Sequence, residues 1–258
     1  MVPLVYYALG GEKYYYRQLQ KSLTSLLKNY DGQVLVIADR NVKIPCDRVR
    51  VAAVPMRLPF DTYGSRLWID DVLRSFPTRT YALDLLRLLY IDTDVIVTGP
   101  VSRLYSECPR HDSVYFALEN PCHRIGGEWN GKYTMSGDEE KAALKEDRRA
   151  WNSGTFLADY KNSILFFRKW ADVYFGAVKK YDIPHEHIPG LGDQSALNTL
   201  VYRGVVEPIP FPKWLVQFGW EAKREALPVL VHFSGADRDL TDRFAPPERD
   251  LIPIEGLG

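Results

Sequence analysis

The stretch LLYIDTDVIV, residues 88–97, decides the fold. Its flanks, LLYI and VIV, are apolar, and Gly99-Pro100 closes the run. An apolar run of this kind reads as a strand covered on both faces, the habit of parallel sheets sandwiched between helices. The anomaly is Asp92-Thr93-Asp94 in its middle. In an extended chain the side chains at i and i+2 point to one side, so the two acids project together if the backbone stays straight. Burying an unpaired carboxylate is costly, and two like charges side by side cost more. A divalent cation offsets both penalties: Mg²⁺ and Mn²⁺ prefer oxygen ligands and are commonly shared between carboxylates and a substrate's phosphates. Taken alone, an Asp-x-Asp triplet is common, and helix capping or pairing with arginine explains it equally well.

Working outward, strands and helices alternate. LVYYALGG (4–11) is a strand ending in a tight loop, and YYYRQLQKSLTSLLKNY after it places Leu19, Leu23, Leu26 and Leu27 on one helical face. QVLVIADR (33–40) and VRVAAVPM (49–56) are buried-strand candidates. SRLWIDDVLRSF (65–76) reads as helix, and TRTYALDLL (78–86) as a second helix opened by Thr78. SVYFALEN (113–120) and SGTFLADY (153–160) are strands around a polar segment, 121–150, long enough to be a lid with one charged surface helix. SILFFRKWADVYFGAVKKY (163–181) and GDQSALNTLVYRG (192–204) are helices, and VVEPIP and LPVLVHFSG (227–235) late strands. The expectation is an α/β fold with a mostly parallel sheet, residues 1–240 forming one domain and 241–258 a proline-containing tail. Ligands of such sheets bind beyond the carboxyl ends of the strands.

The 258 residues carry 33 basic and 33 acidic side chains, which gives no electrostatic case for nucleic-acid binding. Three scattered cysteines, Cys46, Cys108 and Cys122, argue against a disulfide framework or a cysteine zinc site. No stretch approaches the roughly 18 apolar residues of a membrane span. The N-terminal apolar run lacks a basic leader and flows into a helix, so a cytoplasmic protein is expected.

The second chemical feature is VLVHFSG, a buried strand ending in His232 with Gly235 just beyond. Imidazole with two carboxylates suits a divalent transition ion such as Mn²⁺, and Gly235 lets backbone N–H groups approach a phosphate closely. Individually each motif has a plain alternative. Asn152-Ser153-Gly154 reads as a turn, and Asp193 as a cap for the helix after Gly192.

Together, LYIDTDVIV, WNSGTFLADY, LGDQSALN and VHFSGADR, in that order over residues 89–238, resemble a retaining glycosyltransferase of the GT-A fold, nearest to glycosyltransferase family 8, the glycogenin and bacterial galactosyltransferase group. The resemblance implies that Asp92, Asp94 and His232 hold a metal, Mn²⁺ or Mg²⁺, which bridges the two phosphates of a nucleotide sugar. Asp92, or the adjoining chain at Thr93, also faces the ribose. Gly235 and Arg238 fall where the family places a phosphate-contacting glycine and lysine; arginine keeps the charge and changes the geometry. Asn152 matches a donor-sugar contact, and Asp193 and Gln194 match the pair beside the reacting carbon. The family often has an acid where this chain has Ser195. Ala8, Leu9 and Gly10 receive the base and ribose, with Tyr14 stacking on the base and Tyr15 as a rival. Arg66 and Arg79 compete for the cationic donor contact that precedes the acidic triplet. Trp129, Asn130 and Tyr133 are candidate sugar contacts in the lid. PHEHIP, with His185 and His187, reads as a polar loop, with a second metal site as the lesser alternative.

The expected activity is therefore metal-dependent transfer of a hexosyl group from a nucleoside-diphosphate sugar, UDP-linked by preference, to a hydroxyl of a glycan or glycoprotein, with retention of configuration. The rivals are a sugar nucleotidyltransferase, for which ALGGEKYY is a weak triphosphate loop, and a non-catalytic nucleotide-sugar-binding protein. A hydrolase with paired carboxylates fits less well, because a spacing of two on one strand suits a shared metal better than acid and base across a sugar.

Overall fold

The computed structural model describes residues 2–11, 13–54, 65–75, 83–127, 130–131, 134–181, 192–233 and 241–256. Strand β1 (Val2–Leu9) alternates its side chains between two cores. Val5, Tyr7 and Leu9 face one, and Leu4, Tyr6 and Ala8 the other, so no polar position is needed. The first core is closed by helix α1 (Lys13–Asn29) through Tyr16, Leu19, Leu23 and Leu26. The second is closed by the long helix α5 (Tyr160–Tyr181) and by α6 (Asp193–Tyr202), which contribute Phe166, Phe167, Trp170, Tyr174, Leu197 and Leu200. Between these layers lie β2 (Val34–Ala38), β3 (Val49–Ala53), β4 (Leu86–Ile91), β6 (Tyr115–Leu118), β7 (Trp151–Asp159) and β8 (Ile209–Pro210). They form a seven-stranded sheet in the order β3-β2-β1-β4-β7-β6-β8. Every pairing is parallel except the two made by β7. The α/β fold with a mostly parallel sheet flanked by helices is as expected.

The strand read over 88–97 is in fact two strands in two sheets. β4 ends at Ile91, and β5 (Val95–Val97) belongs to a three-stranded sheet in the order β5-β10-β9, with β9 at Val216–Phe218 and β10 at Leu230–His232. The Asp92 N–H donates to the Gly154 carbonyl at 2.8 Å, extending the pairing with β7 by one residue. The Val95 N–H then folds back to the Asp92 carbonyl at 3.1 Å, and the Phe233 N–H donates to the Asp94 carbonyl at 3.0 Å. The acidic triplet is thus the turn between sheets, with Asp92 tied to the larger one and Asp94 to the smaller. The condition of a straight backbone is not met and the single strand over 88–97 divides, because periodicity cannot distinguish one buried strand from two joined end to end.

The outer edge of β5 is covered by side chains from α1. Ser25 Oγ accepts the Val97 N–H at 2.9 Å, Asn29 donates to the Val97 carbonyl at 3.2 Å, and Ser22 donates to the Val95 carbonyl. These polar residues on the buried side of an amphipathic helix satisfy an edge that would otherwise be exposed to pairing.

Other differences are local. Residues 65–75 begin as a 3₁₀ turn (Ser65–Trp68) and continue as helix α2 (Ile69–Ser75). Within the described part of 78–86, Leu83–Leu85 is a 3₁₀ turn and Leu86 already opens β4, so the expected second helix is not seen there. β9 had no counterpart in the sequence reading, and the strand read at VVEPIP shrinks to two residues. Helices α3 (Ser102–Glu107) and α4 (Gly137–Ala143) are short; α4 is the charged surface helix expected within 121–150. The segment 241–256 runs back along α1. The Ile252 N–H donates to Thr24 Oγ1 at 2.9 Å, Lys43 and Glu255 form an antiparallel bridge, and Ile254 is buried. Among the described residues, no helix is long and apolar enough to cross a membrane.

Candidate functional site

The carboxyl ends of β1 and β4 lie side by side, with Tyr6 opposite Tyr90. Two residues further on, Ala8 and Asp92 are at the same level, and Leu9 and Gly10 continue along that rim. The buried Thr93 sits in the turn. His232 arrives from the end of β10 in the smaller sheet. Asp92, Asp94 and His232 each offer one ligand atom, and these atoms lie within 4.8 Å of one another. Asp94 Oδ1 is 3.2 Å from His232 Nε2. His232 Nδ1 is buried without a hydrogen-bond partner among the described residues.

Space for this convergence is made by Gly154, on the bulged strand β7. A Cβ there would fall 2.4 Å from His232 Cε1, 2.6 Å from Asp92 Oδ2 and 2.9 Å from His232 Nε2. The glycine is therefore a steric requirement of the cluster. Two carboxylates and an imidazole, two of the three buried, are a donor set that a divalent ion such as Mn²⁺ fits. In the absence of such an ion, burial pulls the His232 pKa down, but the facing Asp94 and Asp92 carboxylates outweigh it and leave the imidazole above its ordinary value.

A buried cation joins this cluster to a second one. Arg66, in the 3₁₀ turn before α2, places Nη2 3.0 Å from Asp92 Oδ1 and Nε 3.2 Å from Asp193 Oδ2. Its Nη1 donates to the Ser153 carbonyl at 2.6 Å, and its guanidinium lies 4.6 Å from the centre of the Tyr90 ring. Tyr90 also donates its hydroxyl to Asp92. Arg66 is one of the two cations that the sequence left in competition; the other, Arg79, lies outside the described residues. Asp193 opens α6 as its first residue, after Gly192 at the N-cap. Burial, opposed by Arg66 and reinforced by Asp92, raises the Asp193 pKa to about 6.

Gln194, next on the helix, has its amide fixed from three sides. Nε2 donates to Asn130 Oδ1 at 2.7 Å and to Glu119 Oε2 at 3.1 Å, while Oε1 accepts the Ser153 N–H at 3.2 Å. Asn152 is not in a turn but inside β7. It donates to Glu119 Oε2 at 2.9 Å and accepts the Gly154 N–H at 2.8 Å. Asn152 and Gln194 therefore share one hydrogen-bonded group through Glu119, and Arg66 ties Asp193 to Asp92 of the neighbouring Asp92-Asp94-His232 cluster.

Glu119 was missed in the sequence. It is buried at the carboxyl end of β6, and both its oxygens are engaged, Oε1 by the Asn120 N–H at 2.8 Å. The signal was the one that marked Asp92, an acid directly after an apolar strand. Tyr14 is less involved: its ring is half-exposed on α1, its hydroxyl accepts from Gln18 at 2.9 Å, and its ring meets Tyr15 edge-on. Arg79, Gly235, Arg238, Trp129, Tyr133, His185 and His187 lie outside the described residues.

Comparison with known proteins agrees with the motif resemblance. No family model matches the chain. Over 130 residues it is 28% identical to glucoside xylosyltransferase 1 of Rattus norvegicus, covering 48% of this chain but only 28% of that protein. Its fold is similar to that of the WbbM bifunctional glycosyltransferase, with a TM-score of 0.56 and 14% identity over 92% of this chain and 46% of the other. It is also similar to the galactosyltransferase LgtC, solved with donor and acceptor sugar analogues, with a TM-score of 0.55 and 14% identity over 95% of this chain and 98% of the other. The chain has the GT-A fold of these structures.

Proposed function

We propose that the chain is a metal-dependent glycosyltransferase that moves a hexosyl group from a nucleoside-diphosphate sugar, UDP-linked by preference, to a hydroxyl of a glycan or glycoprotein, with retention at the anomeric carbon. The observation that carries this is the seam between the sheets, where Asp92, Asp94 and His232 converge in the space left by a glycine's missing side chain. Asp92, Asp94 and His232 would hold Mn²⁺ or Mg²⁺, whose chemistry when bound is to neutralise the charge gathering on the diphosphate.

The chain's own groups account for the rest. Arg66 holds Asp92 and Asp193 at fixed separation and so keeps the metal side and the sugar side in register. Asp193 and Asn152 are placed to receive hydroxyls of the donor sugar. The Gln194 amide is pre-set by Glu119, Asn130 and Ser153, so a lone pair of Oε1 is available as the anomeric carbon becomes electron-poor, at no reorganisation cost. In the transfer, the bond from the anomeric carbon to the diphosphate oxygen breaks and its electron pair leaves with the phosphate. The acceptor oxygen bonds the same face, and its proton passes to that phosphate oxygen. A carboxamide is a poor nucleophile, which favours this route over a covalent intermediate on Gln194.

The test is calorimetric titration with a panel of nucleoside-diphosphate sugars, with and without Mn²⁺. Metal-dependent binding of a UDP-sugar is expected, lost in Asp94→Ala while the circular dichroism of the fold is kept. No metal-dependent binding of any donor would overturn the reading.

A further inference from the structure

From the metal-ligand cluster a column of stacked rings leads outward. The His232 imidazole lies against the Phe218 ring, with centroids 5.2 Å apart and planes 26° apart. Phe218 in turn stacks on Trp220 at 4.4 Å and 10°. His232 and Phe218 are buried, and Trp220 is 41% exposed. One indole face is thus covered by Phe218, and Trp220 keeps its exposed surface at the end of the column. The turn that sets this geometry is tightly held. Gly219 donates its N–H to the His232 carbonyl at 2.8 Å, and a Cβ on it would come within 2.5 Å of the Phe233 ring. The N–H groups of Glu221 and Ala222 both donate to the Phe218 carbonyl, at 3.0 and 3.1 Å. An exposed tryptophan held this firmly gives up little freedom when a ligand binds.

We propose that Trp220 is an acceptor subsite, a platform on which a pyranose ring of an oligosaccharide acceptor stacks. The proposal rests on the transferase reading above for its place in the reaction. A pyranose has a face of C–H groups whose partial positive charge suits the negative face of an indole. Its hydroxyls, at the ring edge, need charged or polar neighbours, and Glu221 follows Trp220 directly, paired with Lys213 at 3.2 Å. The platform lies two stacking steps outside the His232 cluster, and in this proposal it meets a sugar beyond the one that accepts the glycosyl unit. It therefore selects acceptors of two or more rings.

The test uses ¹H–¹⁵N spectra of the full chain, with the Trp220 indole signal assigned from W220F. Lactose, cellobiose, maltotriose, N-acetyllactosamine and, separately, UDP are titrated in. At least one of the saccharides is expected to shift the Trp220 signal saturably. W220A is expected to weaken that saccharide about tenfold, with W220F within about threefold of the native affinity. The proposal is overturned if no saccharide of the panel moves the signal, or if W220A binds as tightly as the native chain. It is also overturned if UDP alone moves the signal, or if W220A and W220F both lose Mn²⁺, since the ring would then serve only to hold His232. Failure of the native chain to bind any nucleotide sugar strikes the transferase reading instead, because saccharide binding is read without a donor.

Discussion

Replacing Gly154 with alanine should separate metal binding from folding. Gly154 lies in β7 without a positive φ, so alanine fits the backbone. In a strand that change alone is worth about 0.5–1 kcal/mol in favour of the folded state. Against it stands the added methyl, 2.4 Å from His232 Cε1 and 2.6 Å from Asp92 Oδ2, where ordinary contact begins at 3.4 Å. Overpacking of this kind costs about 1–3 kcal/mol. The net loss is then about 0–2.5 kcal/mol, which lowers the melting temperature of a chain this size by up to about 10 °C. The metal site suffers far more. Relieving the clash needs His232 or Asp92 to retreat by about an ångström, whereas ligand distances tolerate about 0.2 Å. Loss of one of three protein ligands should weaken Mn²⁺ by at least about a hundredfold. The assay is Mn²⁺ titration by calorimetry beside thermal melting by circular dichroism, with Gly137→Ala as control, since a Cβ there meets nothing within 4 Å. A folded Gly154→Ala chain that binds Mn²⁺ as tightly as the native one would refute the assignment of Asp92 and His232 as ligands.

Two further outcomes follow from the buried and half-buried charges. Arg66→Met leaves Asp92 and Asp193 without their shared cation and should cost about 3–5 kcal/mol in urea unfolding; a loss under 1 kcal/mol would mean that Arg66 does not hold the two acids together. The Arg203 guanidinium, bonded to Glu139, and the Ser136 N–H lower the Glu139 pKa to about 2. The folded value is below the unfolded one, so this contribution is whole above pH 4.5 and fades as pH falls towards 2. Arg203→Gln should therefore be less stable than the native chain at pH 6 and converge with it near pH 2, as read by thermal melting across that range; a constant gap would contradict it.

What was legible in the sequence was what repeats or what is chemically out of place. The apolar runs of β1, β2 and β4 announced a sheet covered on both sides, and acids within an apolar run announced a site. The bend at Asp92-Thr93-Asp94 was not legible, because its cause lies in partners distant in the chain: Gly154 holds one side of it and Phe233 the other. β9 was hidden for a similar reason. Three residues cannot show a period, and Val216–Phe218 is a strand only because β10 runs beside it.

The site residues divide in the same way. Asp92, Asp94, His232, Asp193 and Gln194 each stood beside a recognisable strand or helix boundary. Glu119 stood at such a boundary too, but unlike Asp92 it had no second acid two residues away to mark it. Its meaning appears only when Asn152 and Gln194, 33 and 75 positions further along, donate to the same oxygen. A carboxylate that receives two amide donors and a backbone N–H is held still, and so holds those amides still. The orientation of Gln194, on which the proposed chemistry depends, is therefore set by a residue from the opposite end of the network. Gly154 shows the converse case. In the sequence it was the small residue of a turn, and in the fold its missing side chain is the space in which two carboxylates and an imidazole can meet.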